Sequence, residues 1–234
     1  MKKFIFDIDG TLTPSRARIH PEFKKWFEKF QTLYDTYLVT GSDRPKTIEQ
    51  VGEDIYNGAK RVYNCSGSDV WEQDKNVHST TWRLPSDARE WLEQQLQFSE
   101  FPRRTGNHIE DRQGMVNFSV VGRNATRDER VLYMRHDERC DERITIAKDF
   151  KRNFPDIEAK VGGETGIDIF PVGADKSQIL RDFDANDRLY FFGDKMDKDG
   201  NDYPLSKVIN DKQLGVCYHV TDYEHTWNYL RYLG

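Results

Sequence analysis

Two aspartates near the N-terminus, separated by one residue, have a spacing that lets both carboxylates act at one metal ion. Asp7 and Asp9 end the apolar run at residues 4–6, which predicts a buried strand. Side chains two positions apart on a strand point to the same side, so the two carboxylates can share one Mg²⁺. Gly10 permits the sharp turn that leaves both at the rim of the sheet.

The two carboxylates can divide the chemistry between them. Asp7, which faces the metal, stays ionised and can attack phosphorus as a nucleophile. Asp9 lies further out and can donate or accept a proton at the leaving or attacking oxygen. The structural alternative is a strand-to-turn boundary at which both aspartates only cap the turn. The preceding strand and the following Thr-Leu-Thr favour the catalytic interpretation.

The first part of the chain alternates short apolar runs with helical patterns, and this order is typical of a parallel sheet covered by helices. Strands are predicted at residues 4–7 and 36–40, and helices at residues 20–33 and 45–56. The carboxyl ends of parallel strands are where such folds bind ligands, which is where the aspartates lie.

The middle of the chain has a different pattern. Residues 77–171 are predicted to be mainly strands, with residues 116–121 as a half-exposed antiparallel strand, because apolar and polar residues alternate there. Helices are predicted at residues 85–98 and 141–154, and the charged run at residues 127–143 is predicted to be a solvated, salt-bridged face.

A βα pattern resumes at Lys176, with strands predicted at residues 189–192 and 216–220. The fold class is therefore α/β, a Rossmann-like core with an inserted α+β cap. We predict the core at residues 1–76 and 172–234 and the cap at residues 77–171. The alternative is one continuous α+β domain.

Composition limits the classes of function. The 234 residues are 36% hydrophobic and 32% charged, and the longest apolar runs are too short to span a bilayer. The N-terminus reaches a charge after three apolar residues, so no signal peptide is predicted. Three dispersed cysteines indicate a reducing compartment, and we predict a cytoplasmic protein. A net charge of −5 provides no basic field for nucleic acid.

The stretch at residues 7–13, DIDGTLT, resembles the first motif of the haloacid-dehalogenase (HAD) superfamily, and later segments resemble its other motifs in order. In the second motif, Thr40 or Ser42 would hold the transferring phosphoryl group; the alternative for each is an ordinary hydroxyl-rich turn. Lys176, at the start of a predicted helix, resembles the lysine that neutralises the nucleophile and the phosphoryl oxygens.

The stretches at residues 191–195 and 200–202 resemble the metal-binding motif of the superfamily. The resemblance implies that Asp194 ligates Mg²⁺ together with Asp7 and Asp9. Asp202 would be a further metal partner, directly or through water. The alternative for Asp202 is helix capping.

Within the superfamily the chain resembles the eukaryotic-type phosphomannomutases over nearly its full length. The stretches that carry this resemblance are residues 13–16, 108–130 and 162–171. The resemblance implies a substrate-binding set in which four arginines contact phosphate and one aspartate accepts bonds from sugar hydroxyls; these residues are Arg16, Arg112, Arg123, Arg130 and Asp168. Arginine suits this task because its planar guanidinium grips phosphate oxygens in pairs.

The resemblance also implies the activity, an Mg²⁺-dependent interconversion of hexose 1- and 6-phosphates, mannose above all, with a hexose 1,6-bisphosphate as activator. A homodimer through the cap is implied as well. Gly166 stands where the family has a serine, and no ligands for the second metal of relatives can be placed. Two alternatives remain: a sugar-phosphate phosphatase of the same fold, and a catalytically silent binding module.

Overall fold

The protein is described here by a computed structural model covering residues 1–233. The chain forms two compact units. The core unit comprises Met1–Thr80 and the segment from Gly173 onward, and the inserted unit is Thr81–Val172. The predicted boundary at residues 76 and 77 falls inside a strand of the core unit, Lys75–Ser79. That strand pairs with its neighbour in the core sheet and therefore belongs to the core unit.

The core unit is built on a seven-stranded sheet. Its strands, in chain order, are β1 (Lys2–Phe6), β2 (Asp35–Val39), β3 (Arg61–Asn64), β4 (Asp69–Glu72), β5 (Lys75–Ser79), β10 (Arg188–Gly193) and β11 (Gly215–His219). The spatial order is β11-β10-β1-β2-β3-β4-β5. The first five strands in this order are parallel, and the last two pairings are antiparallel.

Five helices pack with this sheet: α1 (Pro21–Leu33), α2 (Arg44–Val51), α3 (Glu53–Gly58), α7 (Tyr203–Asp211) and α8 (Tyr223–Leu233). Helix α1 buries Phe23, Phe27 and Phe30, a spacing that keeps one apolar stripe against the core. One helix was predicted over residues 45–56, and this was wrong. Gly52 has φ 84° and ψ 156°, which no helical residue adopts, and it separates α2 from α3.

The inserted unit is a four-stranded antiparallel sheet with three helices. Its strands are β6 (Ile109–Arg112), β7 (Met115–Phe118), β8 (Ile157–Gly162) and β9 (Gly166–Pro171), in the order β6-β7-β9-β8. Its helices are α4 (Ser86–Phe98), α5 (Arg127–Cys140) and α6 (Glu142–Asn153). The predicted fold class, a parallel α/β core with an inserted antiparallel α+β unit, is confirmed.

One local prediction for the inserted unit was wrong, and a second needs a qualification. Strand β7 ends at Phe118, and all four of its residues are buried rather than half-exposed. The charged run at residues 127–143 contains the whole of α5, which buries Arg130, Tyr133 and Asp137 along one stripe. Arg130 and Asp137 on this stripe form ion pairs with Glu164 and Arg143. The other charged residues of the run are exposed or half-buried, so the predicted solvated, salt-bridged face is found outside the stripe. None of the helices in residues 1–233 is both long and apolar enough to cross a bilayer.

Candidate active site

Asp7 leaves the sheet at the carboxyl end of β1. Its backbone N–H donates to the carbonyl of Phe192 on neighbouring β10 (2.9 Å), so the sheet itself fixes its position. Its side chain is buried. The elements that meet at this end of the sheet supply the other charged groups described below.

Lys176 joins two of the predicted carboxylates. Its Nζ lies 2.5 Å from Asp7 Oδ1 and 2.7 Å from Asp202 Oδ1, and its side chain has no exposed surface. Lys176 is the first residue of a 3₁₀ helix, Lys176–Asp182, rather than of an α-helix. Burial opposes its charge, but Asp202 and Asp7 outweigh burial and raise its pKa above the usual value.

Asp202 is held by contacts that differ from helix capping. It occupies the residue before α7, but its side chain makes no capping bond to that helix. Instead Oδ2 accepts from the backbone N–H of Lys195 (3.1 Å), while Oδ1 accepts from Lys176. Asp202 has no exposed surface. The helix-capping alternative is therefore wrong, and the carboxylate faces the cluster.

Asp194 completes a group of three acidic side chains. One oxygen from each of Asp7, Asp194 and Asp202 lies within 4.8 Å of the others, and among the residues that the structure describes this is the one such acidic group. Burial raises the pKa of Asp194 to about 6, and the charge of Asp202 acts in the same direction. Burial likewise raises the pKa of Asp7 well above its usual value, against the opposing charge of Lys176.

The charge and shape of this cluster fit a divalent cation. Three carboxylates face a single buried ammonium, and Lys195 reaches Asp194 only from the exposed side, at 3.5 Å. A divalent cation would balance the excess negative charge, and carboxylate oxygens are the ligands that Mg²⁺ prefers. Gly10 keeps the space open: it has φ +81°, and a Cβ there would lie 2.5 Å from Asp194 Oδ2.

The side chain of Asp9 lies outside this acidic group. Its Oδ1 accepts from the backbone N–H of Arg16 (2.6 Å) and from Gln50 Nε2 (2.9 Å). Arg16 itself adopts a left-handed backbone conformation, with φ +57°. The side chains of Asp9 and Asp7 therefore contact different groups, although only one residue lies between them in the chain.

The structure distinguishes the two hydroxyl candidates on the neighbouring strand. Thr40 follows β2, is 1% exposed, and its Oγ1 accepts from the backbone N–H of Ser42 (3.0 Å). Ser42 is half-buried. The hydroxyl of Thr40 thus supports the turn, and the side chain of Ser42 is the more exposed of the two.

In the inserted unit, Glu110 brings two of the predicted arginines together. Arg112 Nε donates to Glu110 Oε1 (2.7 Å), and Arg123 Nε donates to Glu110 Oε2 (2.6 Å). Burial opposes ionisation of Glu110, but the two arginines outweigh it and lower its pKa to about 2. Arg130, on α5, instead pairs with Glu164 (2.8 Å).

Asp168 lies at the middle of the inserted sheet. It faces Asn117 across the β7–β9 pairing, and Asn117 Nδ2 donates to Asp168 Oδ1 (2.6 Å). Both side chains are buried. Gly166 leaves the space that Asn117 fills, because a Cβ there would lie 2.7 Å from Asn117 Nδ2.

Sequence reasoning assigned no role to Gln50, Glu110 or Asn117. Glu110 and Arg112 are two positions apart on one strand, so the pairing of these opposite charges on one face was open to prediction. Gln50 gave no such signal, because its contact with Asp9 depends on how α2 packs against a segment about forty residues earlier.

Comparison with known proteins identifies the family to which the chain belongs. Residues 23–233 match the eukaryotic phosphomannomutase family. Among curated proteins, the chain is 30% identical to the phosphomannomutase of Saccharomyces cerevisiae over 221 residues, which are 90% of this chain and 86% of that one. It is 31% identical to phosphomannomutase 1 of Dictyostelium discoideum, over 97% of this chain and 94% of that one.

The solved structures that it resembles agree in fold. A haloacid dehalogenase-like hydrolase from Bacteroides thetaiotaomicron superposes with a TM-score of 0.59 at 13% identity, covering 100% of this chain and 99% of that one. The core sheet, the buried cluster of Asp7, Lys176, Asp194 and Asp202, and the match over residues 23–233 lead to the same conclusion. The chain belongs to the eukaryotic phosphomannomutase family.

Proposed function

We propose that the protein is an Mg²⁺-dependent mutase that interconverts mannose 1-phosphate and mannose 6-phosphate through an aspartyl-phosphate. The observation that carries the proposal is the buried contact of Lys176 with both Asp7 and Asp202 beside Asp194. The family supports a mutase over a phosphatase, and an intact nucleophile and metal cluster disfavour a silent binding module.

Asp7 is the proposed nucleophile. One of its carboxylate oxygens forms a bond to phosphorus while the bond from phosphorus to the sugar-phosphate oxygen breaks. Lys176, at 2.5 Å, neutralises Asp7 and the phosphoryl oxygens as charge moves between them. Ser42 is the proposed donor to the transferring group. Mg²⁺, when bound by Asp7, Asp194 and Asp202, supplies positive charge that keeps Asp7 ionised.

Asp9 is the proposed acid and base. It gives a proton to the sugar oxygen when phosphorus leaves that oxygen, and it removes a proton from the attacking hydroxyl when phospho-Asp7 is used. The bonds from Arg16 and Gln50 hold Asp9 Oδ1, so the other oxygen, Oδ2, is the one proposed to carry the proton. The predicted direct binding of Mg²⁺ by the Asp9 side chain does not fit this arrangement, and we assign that side chain to proton transfer alone.

The inserted unit is proposed to bind the phosphate that does not react. Arg112, Arg123 and Arg130 would grip its oxygens, and Asp168 would accept bonds from sugar hydroxyls. The side chain of Arg16 is proposed to add a further phosphate contact from the core unit. A hexose 1,6-bisphosphate is the proposed activator, because it phosphorylates Asp7 and is regenerated when a monophosphate accepts the group. Both of its phosphates must be bound in turn, which explains a cluster of arginines. A cytoplasmic location and a homodimer through the inserted unit stay predictions.

The proposal is tested by incubating the protein with mannose 1-phosphate, Mg²⁺ and a trace of mannose 1,6-bisphosphate. Mannose 6-phosphate without matching release of inorganic phosphate supports the mutase. Stoichiometric inorganic phosphate would instead indicate a phosphatase. Asp7→Asn should abolish both products. Asp35→Asn is the matched control and should abolish neither. Asp35 lies in the same sheet, pairs with Lys3 and Lys60, and is absent from the cluster.

A further inference from the structure

Glu164 pairs with one of the proposed phosphate-binding arginines. Its Oε2 lies 2.8 Å from Arg130 Nη2, and the two side chains are 38% and 10% exposed. Arg130 therefore has little surface, and its terminal nitrogen already contacts an anion that belongs to the protein. A carboxylate in this place occupies a position that a phosphate oxygen would take.

The hairpin that carries Glu164 is fixed from the other side. Arg143 donates from Nη1 to the carbonyl of Gly163 (3.2 Å), in the turn between β8 and β9, and to that of Gly166 (3.4 Å), the first residue of β9. Asp137 holds Arg143 through its Nε at 2.7 Å. The backbone of the turn is thus anchored, and the Glu164 side chain can leave Arg130 by rotation alone.

Glu110 makes a different kind of contact with its arginines. It accepts from Nε of both Arg112 and Arg123, the nitrogen nearest the aliphatic stem, so it orients each guanidinium from behind. Glu164 accepts from a terminal Nη of Arg130, the end of the guanidinium that reaches a ligand. Glu110 therefore positions its two arginines, whereas Glu164 competes with a ligand for Arg130.

We propose that Glu164 is an affinity-determining residue that competes with the substrate phosphate for Arg130. The inference rests on the proposed function, because it takes a hexose phosphate as the ligand. Binding of the phosphate requires that Glu164 leave Arg130, and the two negative charges repel each other until it does. This chain therefore binds hexose phosphates more weakly than its arginines alone would allow.

The test is Glu164→Gln, which keeps the shape of the side chain and removes its charge. Because the contact of Glu164 with Arg130 is partly exposed, KM for mannose 1-phosphate should fall roughly two- to fivefold while kcat changes little. Calorimetric titration of the metal-loaded protein with mannose 1-phosphate should show the same gain in affinity. The matched control is Glu158→Gln in the same unit, where Glu158 pairs with Lys151.

A double-variant cycle separates competition from a general change of charge. In an Arg130→Gln background, Glu164→Gln should lose most of its effect on affinity. An unchanged or higher KM for Glu164→Gln would overturn the inference, because Glu164 would then support Arg130. An equal gain from Glu158→Gln would also overturn it. If the wild-type protein neither binds nor isomerises mannose 1-phosphate, the proposed function fails first, and that result is distinct from all of these.

Discussion

Lys176 and Asp7 form an ion pair of 2.5 Å in which neither side chain has appreciable exposed surface. An ammonium buried beside three carboxylates balances only part of their charge, so the cluster keeps an excess of negative charge in the folded protein. Without a cation the cluster is therefore a source of instability as well as the centre of the proposed chemistry. This balance leads to the first prediction.

Mg²⁺ should stabilise the wild-type fold markedly. At a concentration one hundred times its dissociation constant, a ligand that binds only the folded state adds about 2.7 kcal/mol, or roughly 5–10 °C in Tm for a chain of this size. Asp194→Asn removes a proposed ligand and a largely buried negative charge. We expect its metal-free Tm to equal or exceed that of the wild type, with a much smaller gain from Mg²⁺. Thermal scans with EDTA and with Mg²⁺ measure both quantities, and equal gains in the two proteins would contradict the proposed site.

Gln50 should act through Asp9. It is 1% exposed, and its amide holds Asp9 Oδ1 at 2.9 Å and approaches Thr13 Oγ1 at 3.3 Å. Gln50→Leu leaves only the Arg16 amide on that oxygen, so the carboxylate can rotate away from the reacting hydroxyl. Misplacement of this kind typically costs up to about a hundredfold in rate. We expect kcat for isomerisation to fall roughly ten- to a hundredfold with little change in KM.

Gln31→Leu is the matched control for Gln50. Gln31 also lies in the core unit and donates to the hydroxyl of Thr36 and the carbonyl of Ile55, away from the cluster. Gln50→Asn, whose shorter amide can still approach Asp9, should recover part of the lost kcat. A change in KM alone, or an equal loss of kcat in Gln31→Leu, would show that Gln50 only supports the fold.

For two members of the cluster, Asp7 and Asp194, the sequence was sufficient because each follows a predictable strand. Asp7 and Asp194 come after apolar strands, β1 and β10, which are neighbours in the parallel sheet, so their carboxyl ends meet. The approach of Lys176 to Asp7, 169 residues apart, was expected only from the resemblance to HAD motifs. Spacing alone does not specify a contact across that separation.

The inserted unit was harder to predict because some of its polar residues are buried. Asn117 and Ser119 gave an alternating pattern that indicated a solvated face, yet both are buried. Asn117 bonds to Asp168, and Ser119 Oγ donates to the carbonyl of Thr165. A polar residue can be buried when its hydrogen-bond partners are buried with it, and here the partners come from β9 and the turn before it, about fifty residues away.

Glu110 should stabilise the inserted unit in a pH-dependent manner. Its pKa is lowered to about 2 from 4.5, so the stabilisation is fully present above about pH 4.5 and is lost as the pH falls towards 2. Because the carboxylate is partly exposed, we expect Glu110→Gln to lower the free energy of unfolding by about 1–2 kcal/mol at pH 7. Urea unfolding between pH 3 and pH 7 should show the difference shrinking at the acidic end.

Loss of Glu110 should also weaken the grip on phosphate, since Arg112 and Arg123 lose the carboxylate that orients both. We expect a higher KM for mannose 1-phosphate, the direction opposite to Glu164→Gln. Glu93→Gln, on the exposed side of α4, is the control for both measurements. A stability difference that stayed constant with pH would mean that the charge of Glu110 contributes nothing.

Gly166→Ser should be destabilising because of Asn117. The new Cβ would lie 2.7 Å from Asn117 Nδ2 and 3.0 Å from Asn117 Oδ1, so the amide must move and its bond to Asp168 must lengthen or break. Overpacking of this kind typically costs about 1–3 kcal/mol. Asn117→Ala in the same protein removes the obstructing amide. The penalty of Gly166→Ser should therefore be clearly smaller in the Asn117→Ala background, by at least about 0.5 kcal/mol in a double-mutant cycle. Additive effects in urea unfolding would show that the space beside Gly166 is not limited by Asn117, and the serine would then be accommodated without disturbing Asp168.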